Sequence, residues 1–188
     1  MDEANRCFLL ETPRLYLREF TPDDASDLHE ILGDAETMRF SEPAYTFEKT
    51  QRFLHDFCIG QKGGLAAVQK ESGKVIGYIL FKAYEPGRYE LGWFFHRAFW
   101  RRGYAFEACS QVIGYAFRVL HAQTVMAETI DKERSIPLME KLGMRAKGPQ
   151  PGGPQPGDPQ PGAPQDNAGN PACLYVYEIA AGSSRIPR

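Results

Sequence analysis

The sequence predicts a mixed α/β fold, an α+β sheet of about seven strands with helices on both faces. Three observations carry this. Strand-like runs at residues 65–69, 75–84 and 88–95 follow one another across short turns, which favours antiparallel neighbours. A strand–helix–strand unit over residues 90–130 favours a parallel pair with a right-handed crossover. Between the strands lie segments whose apolar residues recur at helical spacing and line one side only.

The first strand is residues 14–20, RLYLREF, where Leu15 and Leu17 alternate with Arg14 and Arg18. Thr21-Pro22-Asp23-Asp24 reads as a helix start: a capping hydroxyl, a proline at the first helical position, and acids in the first turn. That helix carries Leu28, Ile31 and Leu32 and stops at Gly33. Residues 38–45 form a loop. Thr46 caps a second helix with Phe47, Phe53, Leu54 and Phe57 on one side, ending near Gly60. The next strands are joined by turns at Ser72-Gly73 and Pro86-Gly87. A long helix spans 103–120, with Tyr104, Ala108, Val112 and Ala116 as its stripe. Gly114 inside it costs about 1 kcal/mol against alanine, which suggests a close neighbour there. A strand at 123–130, a short helix at 135–142 and a strand starting at Met144 follow.

Composition then changes. Residues 151–165 hold three tandem five-residue units, PGGPQ, PGDPQ and PGAPQ. Proline removes backbone donors and glycine adds chain entropy, so residues 149–171 are expected to be a mobile insertion without a core. Glycine does not recur every third residue, which excludes a collagen helix. The apolar pattern resumes at 173–179, CLYVYEI. The insertion therefore interrupts a hairpin, and residues 1–188 read as a single domain.

Apolar residues make up 43% of the 188, enough for one ordinary core. The net charge of −2 offers no general field for nucleic acid. Cys7, Cys58, Cys109 and Cys173 are scattered without C-x-x-C spacing, so no metal site or disulfide framework is expected. The N-terminus lacks an export signal, and no run approaches the ~20 apolar residues of a membrane span. These features predict a cytoplasmic protein that does not bind membranes. They leave oligomer formation open.

The chain is organised around residues 90–108, ELGWFFHRAFWRRGYAFEA. A strand runs through a basic turn into a helix that begins at Gly103. The first N–H groups of a helix have no partner within it, and glycine allows close approach, so this junction is an anion site suited to a pyrophosphate. Arg97, Arg101 and Arg102 lie on the turn. Alone they would read as a solvated face; at a strand–glycine–helix junction phosphate contact is the better reading.

Several motifs, in this order, resemble the GNAT superfamily of acyl-CoA N-acyltransferases, and within it the Rim-type, ribosomal-protein N-terminal acetyltransferase branch. Thr12-Pro13-Arg14-Leu15-Tyr16-Leu17-Arg18 is similar to that branch's opening, and Tyr89-Glu90-Leu91-Gly92-Trp93 to its fourth strand. Trp100-Arg101-Arg102-Gly103-Tyr104-Ala105 resembles the pyrophosphate loop, and residues 135–144, SIPLMEKLGM, the end of the last helix. The resemblance covers residues 11–179 apart from the repeat. It implies a three-layer fold, with acetyl-CoA as cosubstrate and no metal. Backbone N–H groups of Arg101, Arg102, Gly103, Tyr104 and Ala105 would hold the pyrophosphate. Trp93, Phe94 and Phe95 would offer main-chain bonds to the pantetheine arm, like an added strand. That arm would lie where the strands around Trp93 and Glu128 splay. Arg97, Arg101 or Arg102 would meet the 3′-phosphate. Three departures from the family pattern stand out: Trp100 and Arg101 occupy positions where the superfamily often has Gln/Arg and Gly, Lys132 stands where asparagine is usual, and Met139 where many relatives use a tyrosine as general acid.

Amide formation from a thioester needs a neutral amine, hence a base. Glu90, on the face opposite Tyr89, Leu91 and Trp93, is the candidate; the plainer reading is a polar strand residue paired with Arg88 or a neighbouring strand. Glu128 is the reserve base. Ser135 either hydrogen-bonds the leaving sulfur or caps a helix starting at Ile136. Cys109 reads as core. The acceptor would be a small-molecule amine or a protein N-terminal amine. The alternative is a GNAT-fold CoA-binding or interaction module with little or no catalysis.

Overall fold

The computed structural model describes residues 8–147 and 174–183. Among these residues one sheet has eight strands in the order β1-β2-β3-β4-β5-β6-β8-β7. The strands are β1 (Phe8–Glu11), β2 (Leu15–Glu19), β3 (Gly64–Gln69), β4 (Val75–Glu85), β5 (Arg88–Phe95), β6 (Thr124–Thr129), β7 (Arg145–Ala146) and β8 (Tyr175–Ala180). All neighbours are antiparallel except β5 and β6. The extra strand is β1, which extends the sheet beyond β2 in a short hairpin.

The two faces bury separate cores. On one, Leu15, Leu17, Leu91 and Phe95 pack under α4 (Tyr104–Arg118) and α5 (Ser135–Lys141), meeting Ala108, Val112 and Met139. On the other, Val68 and Tyr78 meet Leu28 and Ile31 of α1 (Ala25–Leu32), together with Leu54 and Cys58. Strands β2 to β5 feed both cores through their alternation, as Leu65 and Ala67 against Ala66 and Val68 show in β3.

Several boundaries differ from expectation. Pro22–Asp24 form a 3₁₀ turn before α1, closed by the Thr21 N–H donating to Asp24 Oδ2 at 2.7 Å. The 38–45 loop is preceded by a short helix, α2 (Ala35–Met38), capped by Asp34. The second helix is α-helical only over α3 (Phe47–Phe53) and then widens into a π-helix at Leu54–Ile59. Its Phe53 and Phe57 rings stack at 5.2 Å, and Gly63 leaves room for Phe57. At Gly114 the close neighbour is the Arg118 guanidinium, one helical turn on. The expected insertion at 149–171 and the cysteines Cys7 and Cys173 lie outside the described residues.

Candidate active site

The site begins with a break in the sheet. β5 and β6 pair only through Arg88, Glu90 and the residue between them, against Thr124 to Met126. Beyond Glu90, β5 stays with β4 through Phe95, while β6 stays with β8 through Thr129. The two parallel strands therefore part into a slot open toward their C-terminal ends. This is where the family resemblance implied a splay.

Trp93 and Phe95 turn their side chains toward the α4 core, and Phe94 packs on the other face, stacked on Tyr78 at 5.9 Å. What these three residues present to the slot is backbone. Glu90 shares its face with Phe94. It is half-buried, opposite Lys82 on β4 and Met126 on β6. Glu128 reaches the same face from β6 and is exposed to the slot. Desolvation by the surrounding protein, joined by the charge of Glu90, nevertheless raises its carboxyl above the usual range. Two carboxylates thus lie on the same face of the sheet near the start of the slot.

After β5 the chain makes a 3₁₀ turn, Arg97–Phe99, capped by the His96 imidazole accepting from the Ala98 N–H at 3.2 Å. Trp100 Nε1 donates to the Phe95 carbonyl at 2.6 Å, folding the loop back on its own strand. Arg101 (φ +59°) and Gly103 (φ +82°) adopt left-handed conformations. Gly103 is the N-cap of α4 and supplies no capping side chain, so the amides of the first turn are left without intrahelical partners. Arg101, Arg102 and Gly103 are all exposed, whereas Tyr104 is buried. The junction is a concave set of amides at a positive helix end, with two arginines beside it.

Arg97 is placed differently. Its guanidinium lies 3.5 Å from Asp34, beside a shallow cleft of about 290 Å³ lined by Glu30, Asp34, His96, Arg97 and Ala98. It therefore leans away from Arg101 and Arg102 toward α2.

On the other wall of the slot, Asp131 shapes the entry to α5. Its Oδ1 accepts from the N–H groups of Glu133 and Arg134, each at 3.1 Å. Ser135 is the first residue of α5 and makes no capping bond, so the cap reading is corrected: Asp131 does that work four residues earlier, and Arg134 occupies the N-cap position. Arg134 also spans the open end of the slot. Its guanidinium lies 4.8 Å from the Trp100 ring and 5.1 Å from the Phe40 ring, and bonds Asp131 at 2.6 Å. Lys132 turns toward the Tyr175 ring, 5.2 Å away. Met139 is fully buried, so no acid reaches the slot from that helical position. Cys58 and Cys109 are buried too, and burial pushes both thiols up, Cys58 to about 12. Neither is a thiolate at neutral pH.

Sequence reasoning missed three supports of this site: Arg14, Glu107 and Arg134. Glu107 had a signal, an acid in the first turn of α4. The other two had none, since their partners are brought close only by the fold.

Among the described residues no helix is long and apolar enough to cross a membrane. The chain matches the acetyltransferase (GNAT) domain family over residues 14–145, most of its length. It is 29% identical over 143 residues to an uncharacterized N-acetyltransferase of Bacillus subtilis, YnaD, covering 74% of this chain and 84% of that protein. The fold is shared with a GNAT-family acetyltransferase from Bacillus anthracis (TM-score 0.79, 24% identity, 91% of this chain and 97% of the other). It is shared also with a spermidine N-acetyltransferase from Vibrio cholerae solved with CoA and spermine (TM-score 0.72, 15% identity, 93% and 99%). The slot, the amide cradle at α4 and the family match over both together make this chain a member of the GNAT family and an acyltransferase enzyme.

Proposed function

We propose that the protein transfers an acetyl group from acetyl-CoA to a primary amine, with Glu90 as general base. The observation that carries this reading is the slot between β5 and β6, which runs from Glu90 to the amide cradle at Gly103. The amides of Arg101, Arg102, Gly103, Tyr104 and Ala105 hold the donor's pyrophosphate. The free edge of β5 at Trp93, Phe94 and Phe95 bonds the pantetheine arm as an added strand would. Arg101 and Arg102 are better placed than Arg97 for the 3′-phosphate.

The donor supplies an activated thioester. The amine nitrogen forms a bond to the thioester carbonyl carbon, and the carbon–sulfur bond breaks. The amine's proton passes to Glu90, directly or through one water, and the leaving thiolate is protonated from solvent. Ser135, half-buried at the start of α5, is the hydroxyl assigned to hydrogen-bond that sulfur. Buried, protonated cysteines favour direct attack over an acyl-cysteine intermediate. The acceptor is a small-molecule amine or a protein N-terminal amine. The Rim-like motifs at Thr12–Arg18 favour the second, and cysteines scattered without disulfide spacing favour a reducing, cytoplasmic setting.

Glu90→Gln should lower kcat about 100-fold while leaving the acetyl-CoA dissociation constant within about threefold. The measurement is calorimetric binding plus acetylation of a panel of amines and N-terminal peptides. Equal turnover in the two proteins would remove Glu90 from the chemistry.

A further inference from the structure

The N-terminal corner of the sheet is tied to the start of α4 by Thr12 and, above all, Arg14. Arg14 Nε donates to Glu107 Oε2 at 2.6 Å, and the Arg14 N–H donates to Glu107 Oε1 at 2.8 Å. Thr12 Oγ1 donates to the same Oε1 at 2.6 Å. Arg14 Nη1 donates to the Arg102 carbonyl at 2.9 Å. The guanidinium carbon lies 4.2 Å from the centre of the Tyr104 ring, whose hydroxyl accepts from Gln69 Nε2 at 3.0 Å. A Cβ on Gly103 would meet Arg14 Nη2 at 3.4 Å. Arg14 therefore touches, or lies against, Arg102, Gly103, Tyr104 and Glu107 at the loop–helix junction.

Two consequences follow from elementary chemistry. A peptide unit is planar and trans, so its C=O and the following N–H point in opposite directions. Holding the Arg102 carbonyl on Arg14 turns the Gly103 N–H away from Arg14, out to the concave face. Second, Glu107 sits in the first turn of a helix, where unpartnered amides and the positive helix end attract any carboxylate. Unrestrained, it would compete with an incoming anion. Both its oxygens are instead engaged from the sheet side, Oε1 by two donors and Oε2 by one. Burial pushes its carboxyl up, but the bonds from Thr12 and Arg14 outweigh that and hold it below its usual range.

We propose that Arg14 is the positioning residue of the donor-phosphate loop: it aims the Gly103 amide and keeps Glu107 off the cradle. This rests on reading the loop as the acetyl-CoA site. Lysine keeps the charge but cannot fork to Glu107 and the Arg102 carbonyl together. Arg14→Lys should therefore raise the acetyl-CoA Kd and KM about tenfold, with kcat at saturating donor within about threefold. Adding Glu107→Gln to Arg14→Lys should recover part of that loss, because the competing charge is gone. A merely structural role would lower Tm without this split and without the recovery. Thr12→Val, which removes one restraint on Glu107, should move donor affinity in the same direction by a smaller factor and serves if the Arg14 variants fold poorly.

Arg102→Glu separates the two levels. If it abolishes binding while Arg14→Lys binds acetyl-CoA like the parent, the loop reading stands and the role of Arg14 is overturned. If neither the parent nor any variant binds acetyl-CoA, the loop reading fails and the inference with it.

Discussion

Glu128 is held where its charge is unwelcome. Its folded carboxyl is raised by desolvation first and by the charge of Glu90 second. A carboxyl raised on folding favours the native state in its neutral form. The destabilisation is therefore fully present above its folded pKa and disappears below its ordinary value near 4.5. Glu128→Gln should raise Tm at neutral pH, and the gain should fade as pH falls through the raised carboxyl value and be gone below about 4.5; thermal unfolding across pH measures it. A residue that costs stability at the mouth of a slot is a reasonable place to look for function. At this scale the sequence was informative about which residues share a face. The period of two put Glu90 opposite Leu91 and Trp93, and the structure places it so. It was uninformative about partners. Glu128 and Glu90 come from different strands, and only the parallel register brings them together.

Among the elements, the β5–loop–α4 unit was the most legible, because each part has a local signal. The observed bounds of β5, Arg88–Phe95, coincide with the expected strand, and α4 begins immediately after the glycine. The left-handed φ of +82° at Gly103 explains why that position suits glycine: any side chain there is strained. Gly103→Ala should cost about 1–2 kcal/mol of stability and weaken acetyl-CoA binding, since the loop would relax away from the cradle geometry. Paired calorimetry and denaturant unfolding test both effects; full stability with full affinity would show that the loop tolerates the residue. Elsewhere local signals misled. Ser135 looked like a cap because a serine two residues before a proline fits that pattern, but Asp131 had the reach to bond two amides at once. The π-helix at Leu54–Ile59 had no sequence signal, because aromatic stacking between Phe53 and Phe57 depends on how the helix packs.

At the scale of the whole molecule, the antiparallel strands, the single parallel pair and the separation of two cores by one sheet all followed from element order and alternation. Missing was the edge hairpin with β1, whose brief apolar run carried too few residues to show a period. The wall of the slot opposite Trp100 was missing as well, since Arg134 is placed by contacts with two segments distant in sequence, Glu36 and Phe40 around α2 and Trp100 after β5.

The closing hairpin has a practical meaning. β7 pairs with β8, and the Lys147 N–H donates to the Val176 carbonyl at 2.9 Å. The chain thus leaves the sheet and rejoins it at adjacent positions, whatever runs between. Both strands lie at one edge of the sheet, with only β8 between β7 and the slot wall β6. Because the entropy of closing a loop changes by only about 0.6 kcal/mol per doubling of its length, the length of that connection is nearly neutral for the fold. Removing residues 149–165 should shift Tm by no more than a few degrees and leave acetyl-CoA affinity unchanged. The same position is a natural splice point, where a reporter peptide or a small foreign domain could be carried by the working enzyme.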